Sequence, residues 1–92
     1  MFYVICYDIV NDKKRRTVSK FLSAYGIRVQ FSIFEVEMSK IEYNYVKKTL
    51  CKIIDIKTDT IRIYQICKEC LPKVNTIGQN KGGYRLEEFM II

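Results

Sequence analysis

The chain has 92 residues, 49% of them hydrophobic and 13% aromatic, with 16 Lys or Arg against 10 Asp or Glu, a net charge of +6 and no histidine. That length suits one domain spanning 1–92, and the composition excludes a disordered chain. The missing histidine excludes a Ser-His-Asp triad, Cys-His catalysis and His-ligated zinc, while the basic balance favours an anionic partner, nucleic acid first.

Residues 2–9 are β-branched and aromatic without a helical period, so they predict a strand buried on both faces. Asn11 or Asp12 can cap the helix that follows. Over 13–25, Val18, Phe21, Leu22 and Tyr25 recur at i, i+3, i+4 and i+7, an amphipathic stripe with Lys13, Arg16 and Lys20 facing outward. Gly26 is expected to stop this helix. Residues 27–38 alternate, but the phase changes. Ile27, Val29, Phe31 and Ile33 are apolar at odd positions, then Phe34, Val36 and Met38 at even ones. The apolar face must therefore flip near 32–34, through a tight turn or a bulge between strands of about 27–32 and 33–38.

Ser39 is expected to cap a second helix over about 40–55, with Ile41, Tyr45, Val46, Leu50, Ile53 and Ile54 as its apolar stripe. Asp59 precedes a strand from Thr60 to Ile66. Residues 67–83 read as irregular, and Tyr84 to Ile92 as a last strand. The basic loop Lys81-Gly82-Gly83 lacks the strand and helix context of a phosphate-binding P-loop. The order β-α-β-β-α-β plus an extra C-terminal strand predicts an α+β, ferredoxin-like fold. Its helices would cover one face of an antiparallel sheet, and a second protomer would cover the other. No apolar run approaches the length of about 20 residues that spans a membrane. The stretch 2–7 is also too short for a secretory signal, so the expected location is the cytoplasm, with no membrane partner.

Asp8 ends the apolar run of the first strand, and Lys13, Lys14, Arg15 and Arg16 follow closely. An acid at a strand end beside a basic run suits a metal held by the acid and phosphate held by the bases. Mg²⁺ prefers carboxylate oxygens, but one Asp is a poor site, and two Asp8 side chains across a two-fold axis would make a better one. Alternatively, Asp8 caps the turn after its strand or pairs with a nearby Arg. The four basic residues could contact phosphates or form a solvated first helical turn. Phe34, at the phase break, reads as core or as a stacking platform for a base. Of the four cysteines, Cys6 and Cys51 read as small core residues, and Cys67 and Cys70 form a lone C-x-x-C without the second pair that a zinc site needs.

Tyr7-Asp8-Ile9, Lys14-Arg15-Arg16, the stretch Tyr25 to Glu35 and Ile61-Arg62-Ile63-Tyr64 together resemble the CRISPR-associated protein two family, the small partner of the spacer integrase. Arg28 to Glu35 is the most specific part. The resemblance implies a ferredoxin-like homodimer whose C-terminal strand packs onto the partner's sheet. It implies a role in spacer acquisition, in which the dimer bridges the integrase and holds the incoming DNA duplex. It further implies Mg²⁺-dependent endonuclease activity on single-stranded RNA or double-stranded DNA. Under it Asp8 is the metal-binding acid, and Tyr7, Arg15, Arg28 and Phe34 join it as catalytic positions. A basic position two residues after Arg15 in some members is Thr17 here.

Two functions follow. One is a purely structural, DNA-clamping subunit, whose binding falls steeply with salt. The other is a Mg²⁺-dependent phosphodiesterase in which Asp8 holds the metal and Arg15 and Arg28 steady the phosphate. A generic RNA-binding module is a third, which would expose aromatic residues on its sheet face.

Overall fold

The computed structural model describes residues 1–78. The expected strand at 84–92 and the Lys81-Gly82-Gly83 loop lie outside the described residues. Strand β1 is Phe2–Asp8, helix α1 Asp12–Ser23, strands β2 and β3 Gly26–Gln30 and Ile33–Glu37, helix α2 Lys40–Ile53 and strand β4 Thr60–Ile66. A 3₁₀ turn, Leu71–Lys73, follows. The sheet order is β2-β3-β1-β4, and every neighbouring pair is antiparallel. This is the ferredoxin-like α+β arrangement that the element order predicts.

Both helix starts are built by short polar side chains. Asn11, not Asp12, is the N-cap of α1, and its Oδ1 accepts from the Lys14 amide at 3.0 Å. Asp12 sits in the first turn, where the helix dipole favours a carboxylate. Ser39 caps α2 in a reciprocal box with Glu42, and the Ser39 backbone N–H holds the Glu42 carboxyl below its ordinary value.

Alternation along β1 sorts its side chains between two faces. Tyr3, Ile5 and Tyr7 point under the helices and are buried, while Val4, Cys6 and Asp8 point to the other face and are more open. The buried set meets Phe34, Val36 and Met38 from β3 and the residue after it, Val18 and Leu22 from α1, and Val46 and Leu50 from α2. Each fully buried aliphatic or aromatic side chain here contributes about 1.5–3 kcal/mol of transfer free energy.

Four expectations change, and one is that Cys51, read as a small core residue, is exposed on α2. The apolar stripe of α2 is not the expected one. Ile41 is 83% exposed and Tyr45 57%, whereas Val46 and Leu50 are buried with Tyr43 and Ile53 packed against the core. The true spacing is 43, 46, 50 and 53, and the box at Ser39 rotates Ile41 outward. Phe31 is 89% exposed and belongs to no strand. It forms with Ser32 a two-residue connection between β2 and β3, the tight turn expected at the phase change, and a separate register shift lies earlier, between Arg28 and Gln30.

Gly26 does not stop α1. The helix ends at Ser23, with Ala24 as a right-handed cap. Gly26 instead opens β2, opposite Val36, where a Cβ would collide with the Glu35 carbonyl oxygen and lie 2.6 Å from Val36 Cγ2. Glycine is needed because the backbones approach closely there. Val36 is fully buried and has no room to move aside. Gly26→Ala should therefore lower stability by about 2 kcal/mol or more in urea unfolding, as overpacking of a filled core does. A loss within about 0.5 kcal/mol, the range of an ordinary surface change, would remove this account of the β2–β3 approach.

Candidate functional site

The site lies at one end of the sheet, where β1 runs out and α1 begins. Asp8 is the last residue of β1, exposed, and paired in register with Thr60 at the start of β4. Its carboxylate makes no hydrogen bond or ion pair with any described residue. The expected turn-capping role falls elsewhere, on Asp59. That side chain is only 5% exposed, and both of its oxygens are used. Oδ1 accepts from the Val10 amide at 3.1 Å and the Thr58 hydroxyl at 3.2 Å, and Oδ2 accepts from the Asp55 amide at 2.9 Å. Asp59 thus ties the exit of β1 to the α2–β4 loop, and Asp8 is left open to solvent.

Tyr7 is buried, and its role in this structure is to position a turn. Its amide donates to the Ser32 carbonyl at 3.0 Å, and its phenol donates to the Phe31 carbonyl at 3.3 Å. The β2–β3 turn is thereby held at the Asp8 end of the sheet. Phe34 is wholly buried, its ring centroid 6.3 Å from that of Tyr7. It supports Tyr7 from within the core and presents no face to a ligand, which is the core reading of this residue.

The basic residues divide by what they touch. Arg15 folds back on the turn, where Nη1 donates to the Ile9 carbonyl at 3.1 Å and Nη2 pairs with Asp12. Its side chain remains 43% exposed. Lys13 and Arg16 are exposed, with no ion pair to a described residue, and Lys14 is half-buried, its charge felt by Asp59. Thr17 spends its hydroxyl on the Lys13 carbonyl at 2.9 Å. Arg28 lies on the edge strand opposite Phe34, so its register puts it on the helix side and Asp8 on the other side of the sheet. Two strand spacings and three residue rises separate the two Cα positions, about 14 Å. The Arg28 guanidinium leans over the exposed Phe31 ring, 5.6 Å from its centroid. Arg28 and Asp8 are thus at the same end of the sheet without meeting in one chain.

Arg62 was not singled out from the sequence. It pairs with Cys6 in register, so it shares the open face with Asp8 as a diagonal neighbour. It is exposed and donates a long hydrogen bond to the Tyr64 phenol at 3.5 Å. Alternation along β4 puts Arg62 opposite in face to Ile61 and Ile63. Only the β1–β4 register shows that this face is also that of Asp8.

The donor set bears on a metal. Among the described residues no group of three His, Cys, Asp or Glu side chains converges on one point. Asp8 is a single unengaged carboxylate with open water around it. That fits Mg²⁺, which takes one or two carboxylates and keeps several waters, as half of a site.

The sequence pattern of the family described as CRISPR associated protein Cas2 matches residues 1–74. A curated protein of Rhodospirillum rubrum, CRISPR-associated endoribonuclease Cas2 4, is 49% identical over 76 residues, covering 83% of this chain and 61% of the relative's length. The crystal structure of Streptococcus pyogenes Cas2 at pH 6.5 superposes with a TM-score of 0.77 at 37% identity, over 85% of this chain and 100% of that one. A chain of a partial Cas6-RT-Cas1–Cas2 complex does so with a TM-score of 0.72 at 30% identity, over 90% and 98%.

Backbone hydrogen bonds, first from Asp55 and then from Val10, hold the Asp59 carboxyl below its ordinary value of 3.8. A group lowered in the folded state contributes stability above its unfolded value, and that contribution is lost as pH falls through the folded one. Wild-type protein should therefore lose stability more steeply than Asp59→Asn between about pH 4 and pH 2. At pH 7 the variant should melt lower by about 5 °C or more. Thermal melts at pH 7, 4 and 2 measure both. Parallel curves would mean that Asp59 is not the acid tying this turn.

Proposed function

The chain belongs to the CRISPR associated protein Cas2 family, and from that premise we propose that it acts in CRISPR adaptation as a cytoplasmic homodimer that binds nucleic acid, partners the spacer integrase and cleaves phosphodiester bonds with Mg²⁺. The observation that carries this reading is the division of labour between Asp59 and Asp8. One acid does the structural work of the turn, and the other stands exposed and unengaged beside a basic helix. The name of the Rhodospirillum relative supports endoribonuclease activity, and the Cas1–Cas2 neighbour supports an integrase partner.

Each side chain has a part in this proposal. Asp8 from each of two protomers would hold the ion, which supplies a polarised water and neutralises charge on the scissile phosphate. Lys13 and Arg16, exposed on successive turns of α1, take backbone phosphates and steer the nucleic acid by charge. Arg15 keeps the β1–α1 turn in shape while its exposed part adds to the positive field. Arg62 stands on the face of Asp8, placed to steady a phosphate oxygen there. Tyr7 and Phe34 hold the neighbouring turn, and Arg28 is available on its outer side.

The second reading is a subunit that clamps DNA without cutting it. The single acid that the described residues contribute to the donor set favours it. The two readings part at one substitution. Asp8→Asn should abolish Mg²⁺-dependent cleavage of single-stranded RNA and of duplex DNA, a loss of about 100-fold or more. It should leave duplex binding and spacer acquisition in place, and chelation of the metal should reproduce the loss in wild-type protein. Cleavage by the variant at the wild-type rate would sink the nuclease reading. Loss of acquisition in the folded variant would sink the structural one. Duplex affinity should also fall log-linearly with salt, and Lys13→Ala with Arg16→Ala should reduce that slope by about 2.

A further inference from the structure

At the opposite end of β4 from Thr60 the chain turns through Cys67-Lys68-Glu69-Cys70. The register places Asp8 against Thr60 and Phe2 against Ile66, so Cys67 stands about seven residue rises, roughly 23 Å, from the Asp8 end. The turn is well formed. The Cys67 carbonyl accepts from the Cys70 amide at 3.1 Å and from the Leu71 amide at 2.9 Å. An i to i+3 hydrogen bond of this kind brings the two Cα atoms within about 7 Å, near the spacing that a disulfide spans. Both thiols are free and exposed. Leu71, buried just after Cys70, anchors the far side of the turn.

We propose that Cys67 and Cys70 form a reversible thiol–disulfide site that exchanges with small-molecule disulfides. Their roles differ. The proximity of Cys70 across the turn, its side chain first and its backbone amide second, holds the Cys67 thiol below its ordinary value, and the Cys67 side chain in turn holds the Cys70 thiol above it. Cys67 is therefore the attacking sulfur and Cys70 the resolving one. The Cys67 thiolate attacks one sulfur of RS–SR, that S–S bond breaks, and RS⁻ leaves. Cys70 gives its proton to solvent and attacks the Cys67 sulfur of the mixed disulfide, and a second RS⁻ leaves. Two electrons pass from the dithiol to RS–SR, which becomes two RSH after protonation, and the Cys67–Cys70 bond is formed. The other cysteines lack this arrangement. Cys6 is half-buried in β1, and Cys51 is exposed on α2 with Lys47 and Lys48 one turn before it.

The test uses the whole chain, incubated with oxidised and reduced glutathione at pH 7 and then trapped with a maleimide. Peptide mass spectrometry should find an intramolecular Cys67–Cys70 bond that a reducing agent reverses, with Cys51 still a thiol. Cys67 should alkylate with iodoacetamide at least about tenfold faster than Cys51 at pH 7. Cys70→Ser should stop at a stable glutathione adduct on Cys67, and Cys67→Ser should form no intramolecular bond. Both variants should keep the Mg²⁺ and salt behaviour of wild type, because the turn is remote from Asp8. The proposal is overturned if both thiols stay reduced where a control dithiol oxidises. It is equally overturned if Cys51 reacts as fast as Cys67, or if Cys70→Ser forms no adduct.

Discussion

The arrangement of this molecule depends on the carboxylate of Asp59. Val10 is the residue at which the backbone leaves β1, and its amide would face a turn with no partner from its own strand. Asp59 supplies that partner from another part of the chain, and with its second oxygen it closes the loop that follows α2. An unpaired backbone amide in a part-buried place costs free energy comparable to a lost hydrogen bond. A single buried acid therefore sets the angle at which α1 departs and the level at which β4 enters. It also relieves Asp8 of any structural duty. Sites for chemistry need groups that the fold does not itself consume, and here the fold consumes the other acid.

The same separation appears in the basic residues. Arg15 is engaged with the Ile9 carbonyl and Asp12, so much of its hydrogen-bonding capacity goes to the turn. Lys13 and Arg16 have no such partner among the described residues and are placed on the outward side of α1 by helical spacing. Positive charge near a helix N-terminus opposes the dipole. Asp12 in the first turn offsets part of that cost. That end of the sheet therefore carries several exposed cations around a carboxylate that no described residue engages.

Much of the fold was legible from period and caps. The strand at 2–9, the helices at 13–25 and 40–55 and the strand at 60–66 all occur, with ends moved by one or two residues. Those signals are local, because they depend on alternation, helical spacing and the caps Asn11 and Ser39. What could not be read was non-local. Ile41 and Tyr45 are apolar but sit outside the contact with the sheet, and Phe31 continues an alternating pattern only to leave it at the turn. The need for glycine at position 26 arises from the Glu35 backbone on a different strand. The site followed the same rule. Asp8 was visible as an acid at a strand end, whereas Asp59 as its structural counterpart and Arg62 as its neighbour required the β1–β4 register.

That register has a further consequence for how the chain reaches its folded state. Among the described residues the inner strand β1 pairs with 33–37 and 60–66, so both of these ladders join distant segments. The β2–β3 hairpin and the two helices are local and have little loop entropy to overcome. The pairing of β1 with β4 must close a loop of more than 50 residues. High sequence separation slows such pairings relative to hairpins and helices. The β1–β4 ladder is therefore expected to close after the hairpin and helices, starting from its Asp8 end, where the loop is shortest. Until β4 docks, β1 exposes an unpaired edge on that side, and the nascent chain is open there to capture by a strand of another molecule.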